Sequence, residues 1–120
     1  MRDEVERGWM LVGLGDEPRP LRLVFGESAL RAAPLGLAIG RHPALCERVI
    51  DEESVSRRHA RLALDGRHLV VEDLNSLNGT SIDGRPLAPF VPEQLRPGQT
   101  LSLGAVDLEV RTLDEDGHLR

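Results

Sequence analysis

Tyrosine and lysine are both missing from these 120 residues, and only Trp9, Phe25 and Phe90 are aromatic. So few rings argue against base stacking as a mode of nucleic-acid binding. The core has to be built from Leu, Val, Ile and Ala instead. Cys46 is the single cysteine, which excludes an internal disulfide and a multi-cysteine zinc site. A reducing cytoplasm is the simplest setting for it. No apolar run approaches the ~20 residues of a membrane helix. The opening MRDEVERGWM is charged and has no apolar signal core, so no membrane association is expected. Positive charge is in the minority, with 15 basic residues against 20 acidic and a net charge of −5. That balance argues against a general polyanion binder and leaves room for one local basic socket. Every basic residue is arginine, the better side chain for fork-like phosphate recognition, although a GC-rich genome explains that usage more simply.

What is present is enough for one folded domain. Forty per cent of the residues are hydrophobic, and the length fits a single core. Twelve glycines and eight prolines punctuate short apolar runs, and no helical stripe lasts three turns. This pattern predicts an all-β sandwich of two antiparallel sheets. WMLVGL (9–14), LRLVF (21–25) and LGLAIG (35–40) are candidate strands. ARLAL (60–64) and HLVVEDL (68–74) flank Asp65-Gly66, read as a type I′ hairpin turn. Asp83-Gly84 and RPGQ (96–99) mark two further turns. VDLEVR (106–111) alternates as a half-buried strand should. ESALRAAPLGL (27–37) is the competing helical segment, with Ser28 as its cap and Pro34 ending it after barely a turn. The expected organisation is a flexible segment at 1–8, the sandwich at 9–112 and a flexible tail at 113–120.

Three polar stretches stand between these strands: Gly40-Arg41, SVSRRHA (54–60) and NSLNGTSIDG (75–84). Hydroxyls, guanidinium groups and an imidazole so close together fit a nucleophile with its base, a grip on nucleic acid or a socket for phosphate. Loops at one end of a sandwich cluster in space, so the three can converge. A phosphomonoester carries about −1.5 to −2 charge and three acceptor oxygens. An arginine fork matches two of those oxygens, a serine hydroxyl can satisfy another, and asparagine pairs with a peptide bond.

GR at 40–41, SVSRRHA, DLNSLNGT at 73–80 and IDG at 82–84, in this order and spacing, resemble the forkhead-associated (FHA) domain. The resemblance implies a two-sheet sandwich that binds phosphothreonine peptides through loops at one end. By that resemblance Arg41 reaches the phosphate, Ser56 donates its hydroxyl and Arg57 adds a contact from the same loop. Asn78 bonds the peptide backbone, and Leu77 lies beside it at the site. Gly40, His59, Ser76, Gly79 and Thr80 support these loops, with Ser76 expected to brace Asn78. Two positions depart from the family pattern. Leu77 stands where threonine is frequent and shapes the niche for the phosphothreonine methyl. Asp83 stands where asparagine is usual, and its charge near a phosphate would weaken binding.

The expected function is a reader in Ser/Thr kinase signalling, an adaptor of bacterial type. Its partner is a threonine-phosphorylated protein or peptide, from the kinase or its substrate. No nucleic acid, membrane, cofactor or metal is called for. The alternative is an FHA-like domain that binds a non-phosphorylated partner through a converted pocket or a sheet face. Ser54 or Ser56 with His59 and Asp73 contains the ingredients of a hydrolase triad, but there is no G-x-S-x-G elbow, and no enzyme is expected. Arg58 and Arg61 are read as a solvated strand edge, Trp9 as core or a lid, and Cys46 as a half-buried apolar residue. His42, His68 and His118 show no metal-ligand spacing with Cys46.

Overall fold

The computed structural model describes residues 7–114 and Leu119. The expected flexible ends fall largely outside the described residues, as does His118. Eleven strands and one short helix follow in order: β1 (Gly8–Gly13), β2 (Arg22–Gly26), α1 (Glu27–Arg31), β3 (Leu37–Gly40), β4 (Arg48–Val49), β5 (Ala60–Asp65), β6 (His68–Asp73), β7 (Thr80–Ile82), β8 (Arg85–Pro86), β9 (Glu93–Gln94), β10 (Thr100–Leu103) and β11 (Val106–Leu113). They form two sheets, ordered β2-β1-β11-β10-β7-β8 and β4-β3-β5-β6-β9. Every pairing is antiparallel except β3 with β4, which is parallel.

Alternation along each strand builds the core. On β11, Leu108 and Val110 are buried while Asp107 is exposed. On β5 and β6, Leu62 faces Val71 across the ladder, and both are fully buried. Phe25 on β2 is the one aromatic ring wholly inside, and Trp9 packs against the core only in part. Arg48 ties the two sheets at their shared edge. Its Nε donates to the Val24 carbonyl at 2.7 Å, and its guanidinium lies 5.1 Å over the Phe25 ring.

Three local expectations are corrected. The helical segment is real, but its N-cap is Gly26 rather than Ser28. One turn survives because Leu30 is buried in the core and Glu27 pairs with Arg31 at 2.7 Å. Arg31, and then Arg7, hold the Glu27 carboxyl below its ordinary value. In the β5–β6 hairpin, Asp65 pairs with His68, so the two turn residues are Gly66 and Arg67. Gly66 takes φ +62° and Arg67 does not follow it into positive φ, the pattern of a type II′ turn. The type I′ pattern falls instead at Asp83-Gly84, with φ +50° and +81°. Finally, Arg61 does not sit on a sheet edge. It lies on β5, inside its sheet, and pairs across the ladder with Glu72 at 2.8 Å.

Candidate functional site at the loop end

Strand β3 ends at Gly40, where the chain must pass very close to the loop before β5. A Cβ built on Gly40 would lie 2.3 Å from the Arg57 carbonyl oxygen and 2.8 Å from Cys46 Sγ. Only glycine permits that approach. The contact is then sealed by backbone bonds: Arg41 N–H donates to the Ser56 carbonyl at 3.0 Å, and His42 N–H to that of Arg57 at 3.1 Å. Cys46 Sγ donates to the same Arg57 carbonyl at 3.0 Å. Half-buried there, the Cys46 thiol is pushed up from its ordinary pKa by burial. Arg41 itself is exposed. Its Nε donates to the Val55 carbonyl at 3.0 Å, which fixes the plane of the guanidinium. Among the described residues its two terminal nitrogens have no partner, so they face outward as a fork.

His59 joins this loop to the next. It is fully buried, yet both ring nitrogens are used on backbone groups. Nδ1 accepts from Ser56 N–H at 3.0 Å, and Nε2 lies 2.8 Å from the Gly79 carbonyl. Nδ1 must be bare to accept, so the ring is neutral and Nε2–H donates. Burial, the largest influence, lowers the His59 pKa; the bond to Gly79 and the charge of Asp73 oppose it. With both nitrogens committed, His59 reaches no serine hydroxyl, and the nucleophile-and-base pairing is not formed here.

The 74–79 loop is tied in by two further bonds. Leu77 N–H donates to Ser56 Oγ at 3.0 Å, leaving the Ser56 hydroxyl hydrogen to point elsewhere. The Asn78 side-chain amide donates to the Ser54 carbonyl at 2.8 Å, which orients its remaining N–H and its oxygen. Ser76 braces the loop through Asp73 rather than through Asn78. Its hydroxyl donates to Asp73 Oδ1 at 2.5 Å and its N–H to Oδ2 at 3.3 Å, while Thr80 Oγ1 donates to Oδ1 at 2.6 Å. Asn75 enters the loop at φ +61° and Gly79 leaves it at φ +85°.

Sequence reasoning missed two members of this assembly. Asp73, buried to 2%, gathers the loop with its carboxylate. The β10–β11 turn also reaches in: Gly104 N–H donates to the Gly79 carbonyl at 3.1 Å, and Ala105 N–H to Ser54 Oγ at 2.9 Å. A Cβ on Gly104 would lie 2.4 Å from the Ser54 carbonyl oxygen. The tight L-G-A-V spacing was the available signal for this turn.

All ten expected site residues therefore meet at one end of the sandwich. Arg57 joins through its backbone and sends its side chain to solvent, and Leu77 is 89% exposed. Asp83 is elsewhere. It sits at the far end of β7, where its carboxylate accepts from Thr100 N–H at 2.8 Å and from the Gln99 amide at 3.4 Å. Those two donors engage its carboxylate within the β7–β8 turn and the start of β10. Among the described residues, no three His, Cys, Asp or Glu side chains gather to hold a metal ion. Among them, too, no helix is long and apolar enough to cross a membrane.

The sequence pattern of the FHA domain family matches residues 37–104, which span all of these loops. The chain belongs to the FHA domain family. Protein FraH from a Nostoc species is 47% identical over 58 residues, 48% of this chain and 20% of its own length. This chain therefore spans about a fifth of that relative. Among solved structures, the FhaA FHA domain complexed with the intracellular domain of Rv3910 superposes with a TM-score of 0.65. It is 28% identical and covers 87% of this chain and 100% of that one. An FHA structure solved to study phosphothreonine-dependent interactions gives a TM-score of 0.64 at 27% identity, over 85% of this chain and 93% of that one. The FHA loops here are held to one another by backbone and side-chain hydrogen bonds, so the polar groups at their tips are preorganised.

Proposed function

We propose that this FHA domain binds a threonine-phosphorylated peptide across its loop end and serves as a reader in Ser/Thr kinase signalling. The observation that carries the reading is the arrangement of Arg41, Ser56 and Asn78. Each is pinned by a hydrogen bond to a neighbouring loop, and each has polar capacity left over. A dianionic phosphate uses that capacity: the Arg41 fork takes two oxygens and the Ser56 hydroxyl donates to a third. Arg57, exposed beside them, adds long-range attraction. Asn78, with an N–H and an oxygen still unused, pairs with the peptide backbone next to the phosphothreonine. The similarity to FHA structures studied for phosphothreonine-dependent binding supports this reading. The reading needs no catalytic step, and a cytoplasmic kinase or its substrate is the partner that fits a domain with one free cysteine.

Calorimetric titration tests it. A degenerate phosphothreonine peptide pool is compared with its unphosphorylated twin and with an Arg41→Ala domain. Binding is expected to require the phosphate and to weaken by about 2–4 kcal/mol without Arg41. Matched phosphoserine peptides should bind about 1 kcal/mol more weakly, the worth of one buried methyl. Binding that ignores both the phosphate and Arg41 would instead establish a non-phosphorylated partner, with exposed Leu77 as the first contact to examine.

A further inference from the structure

Beside the socket lies a cleft of about 580 Å³, formed where the β1–β2 loop, the residues after β4 and the β10–β11 turn meet. Leu21, Val49 and Val106 give it an apolar floor, and Leu14 stands at its mouth, 51% exposed. Its walls are acidic. Glu17, Asp51, Glu52 and Asp107 line it, and no arginine does. Glu52 is hydrogen-bonded to Ser54, and Asp107 accepts from Ser102 Oγ at 2.6 Å. Among the described residues, Glu17 and Asp51 have no hydrogen-bond partner, and none of the four is ion-paired.

Four uncompensated carboxylates around one cleft repel each other and attract a cation. Their spread does not suit a metal ion, because no three of them come together. It suits a long cationic side chain, which lays its methylene stem on apolar surface and keeps its charged head among carboxylates.

One residue, Ser54, is bonded both to the cleft lining and to the socket. The Ser54 carbonyl accepts from Asn78 at 2.8 Å, while Ser54 N–H and hydroxyl both donate to Glu52 Oε2. Asn78 and Glu52 thus both bond to Ser54. An extended peptide advances about 3.3 Å per residue. A phosphothreonine seated on Arg41 and Ser56 therefore brings a side chain about two to five residues away within reach of the cleft.

We propose that this cleft is a second reading site for the same ligand, so that the domain selects threonine-phosphorylated peptides carrying Arg or Lys about two to five residues from the phosphothreonine. The inference rests on the phosphopeptide reading above and names the class of sequence that its socket takes. A basic socket beside an acidic cleft also orients the peptide, because the reversed chain would set phosphate against carboxylates.

The test uses the folded domain and phosphothreonine pools in which Arg, Ala or Glu is fixed at each position out to five residues on either side. The pools are titrated into the wild type and into a Glu17→Gln, Asp51→Asn double variant, both exposed positions outside the socket. At a position within the stated range, the Arg pool is expected to bind about threefold to tenfold tighter than the Ala pool, and the Glu pool weaker than either. The double variant should close the gap between Arg and Ala while binding the Ala pool as well as the wild type or slightly better. Equal binding of the Arg and Ala pools at every position, with phosphate still required, would overturn the inference and leave the socket reading standing. An Arg preference that survives in the double variant would also overturn it. Loss of phosphate dependence in every pool would bring down the socket reading, and this inference with it.

Discussion

His59 has no exposed surface and touches no solvent, yet its position decides where the binding groups stand. One ring nitrogen holds the Ser56 backbone and the other the Gly79 carbonyl. Truncation to alanine leaves a cavity, takes the acceptor from Ser56 N–H and leaves the Gly79 carbonyl only its bond from Gly104 N–H. His59→Ala is expected to cost about 2–4 kcal/mol of stability in denaturant unfolding, with phosphopeptide affinity falling as well. Full stability with binding alone impaired would mean that His59 contacts the ligand directly. Arg41 is the opposite case: its side chain is exposed and held by one bond, and its terminal nitrogens are left for the proposed phosphate. The structural character of His59 was legible from its motif. Its two backbone partners were not, since they lie three and twenty residues away along the chain.

At the scale of elements, the loops are built as firmly as strands, and Asp73 at the end of β6 is the reason for one of them. In the linear sequence it reads as the acid of a hydrolase triad. In the fold it accepts from the Ser76 hydroxyl and N–H and from Thr80, while both ring nitrogens of His59 are taken by backbone groups. Asp73→Ala strips three donors of their acceptor, one of them on buried Thr80. The expected cost is about 1–3 kcal/mol in thermal or denaturant unfolding. Phosphopeptide binding should weaken as well, because Asn78 rides on this loop. An unchanged melting curve would show that the loop stands without Asp73. The turns teach a related lesson. Asp-Gly predicted a turn correctly at both 65–66 and 83–84, but strand register, set by which side chains reach the core, moved the first by one residue.

At the scale of the whole molecule, the fold is linked to pH through the same histidine. Burial holds the folded His59 pKa below its ordinary value of 6.5. As pH falls below 6.5, the unfolded chain takes up a proton that the folded imidazole refuses. Stability is therefore complete above that value and is lost progressively beneath it. The Glu27 carboxyl, held low by Arg31 and Arg7, acts in a separate window, with its contribution lost only as pH falls below 4.5. The free domain should thus melt at a lower temperature at pH 5.5 than at pH 7.5, and His59→Gln should flatten that difference. There is no tyrosine, so the emission of Trp9, half-buried on β1, follows the transition. A melting temperature insensitive to pH between 5.5 and 7.5 would contradict the neutral, buried state of the ring.

The sequence by itself determined the architecture, because alternation at period two and glycine-rich turns leave few alternatives to a sandwich. It also determined the loops that make the site, since arginine, serine, histidine and asparagine stand there in a recognisable order. Only the tertiary structure decided what those groups do to one another. The bonds from His59 to Gly79, from Asn78 to Ser54 and from the β10–β11 turn to both loops join positions 20 to 51 residues apart. The acidic cleft is of the same kind. Glu17, Asp51 and Asp107 are unremarked surface residues along the chain, and they face one another only because three loops fold over a common apolar floor.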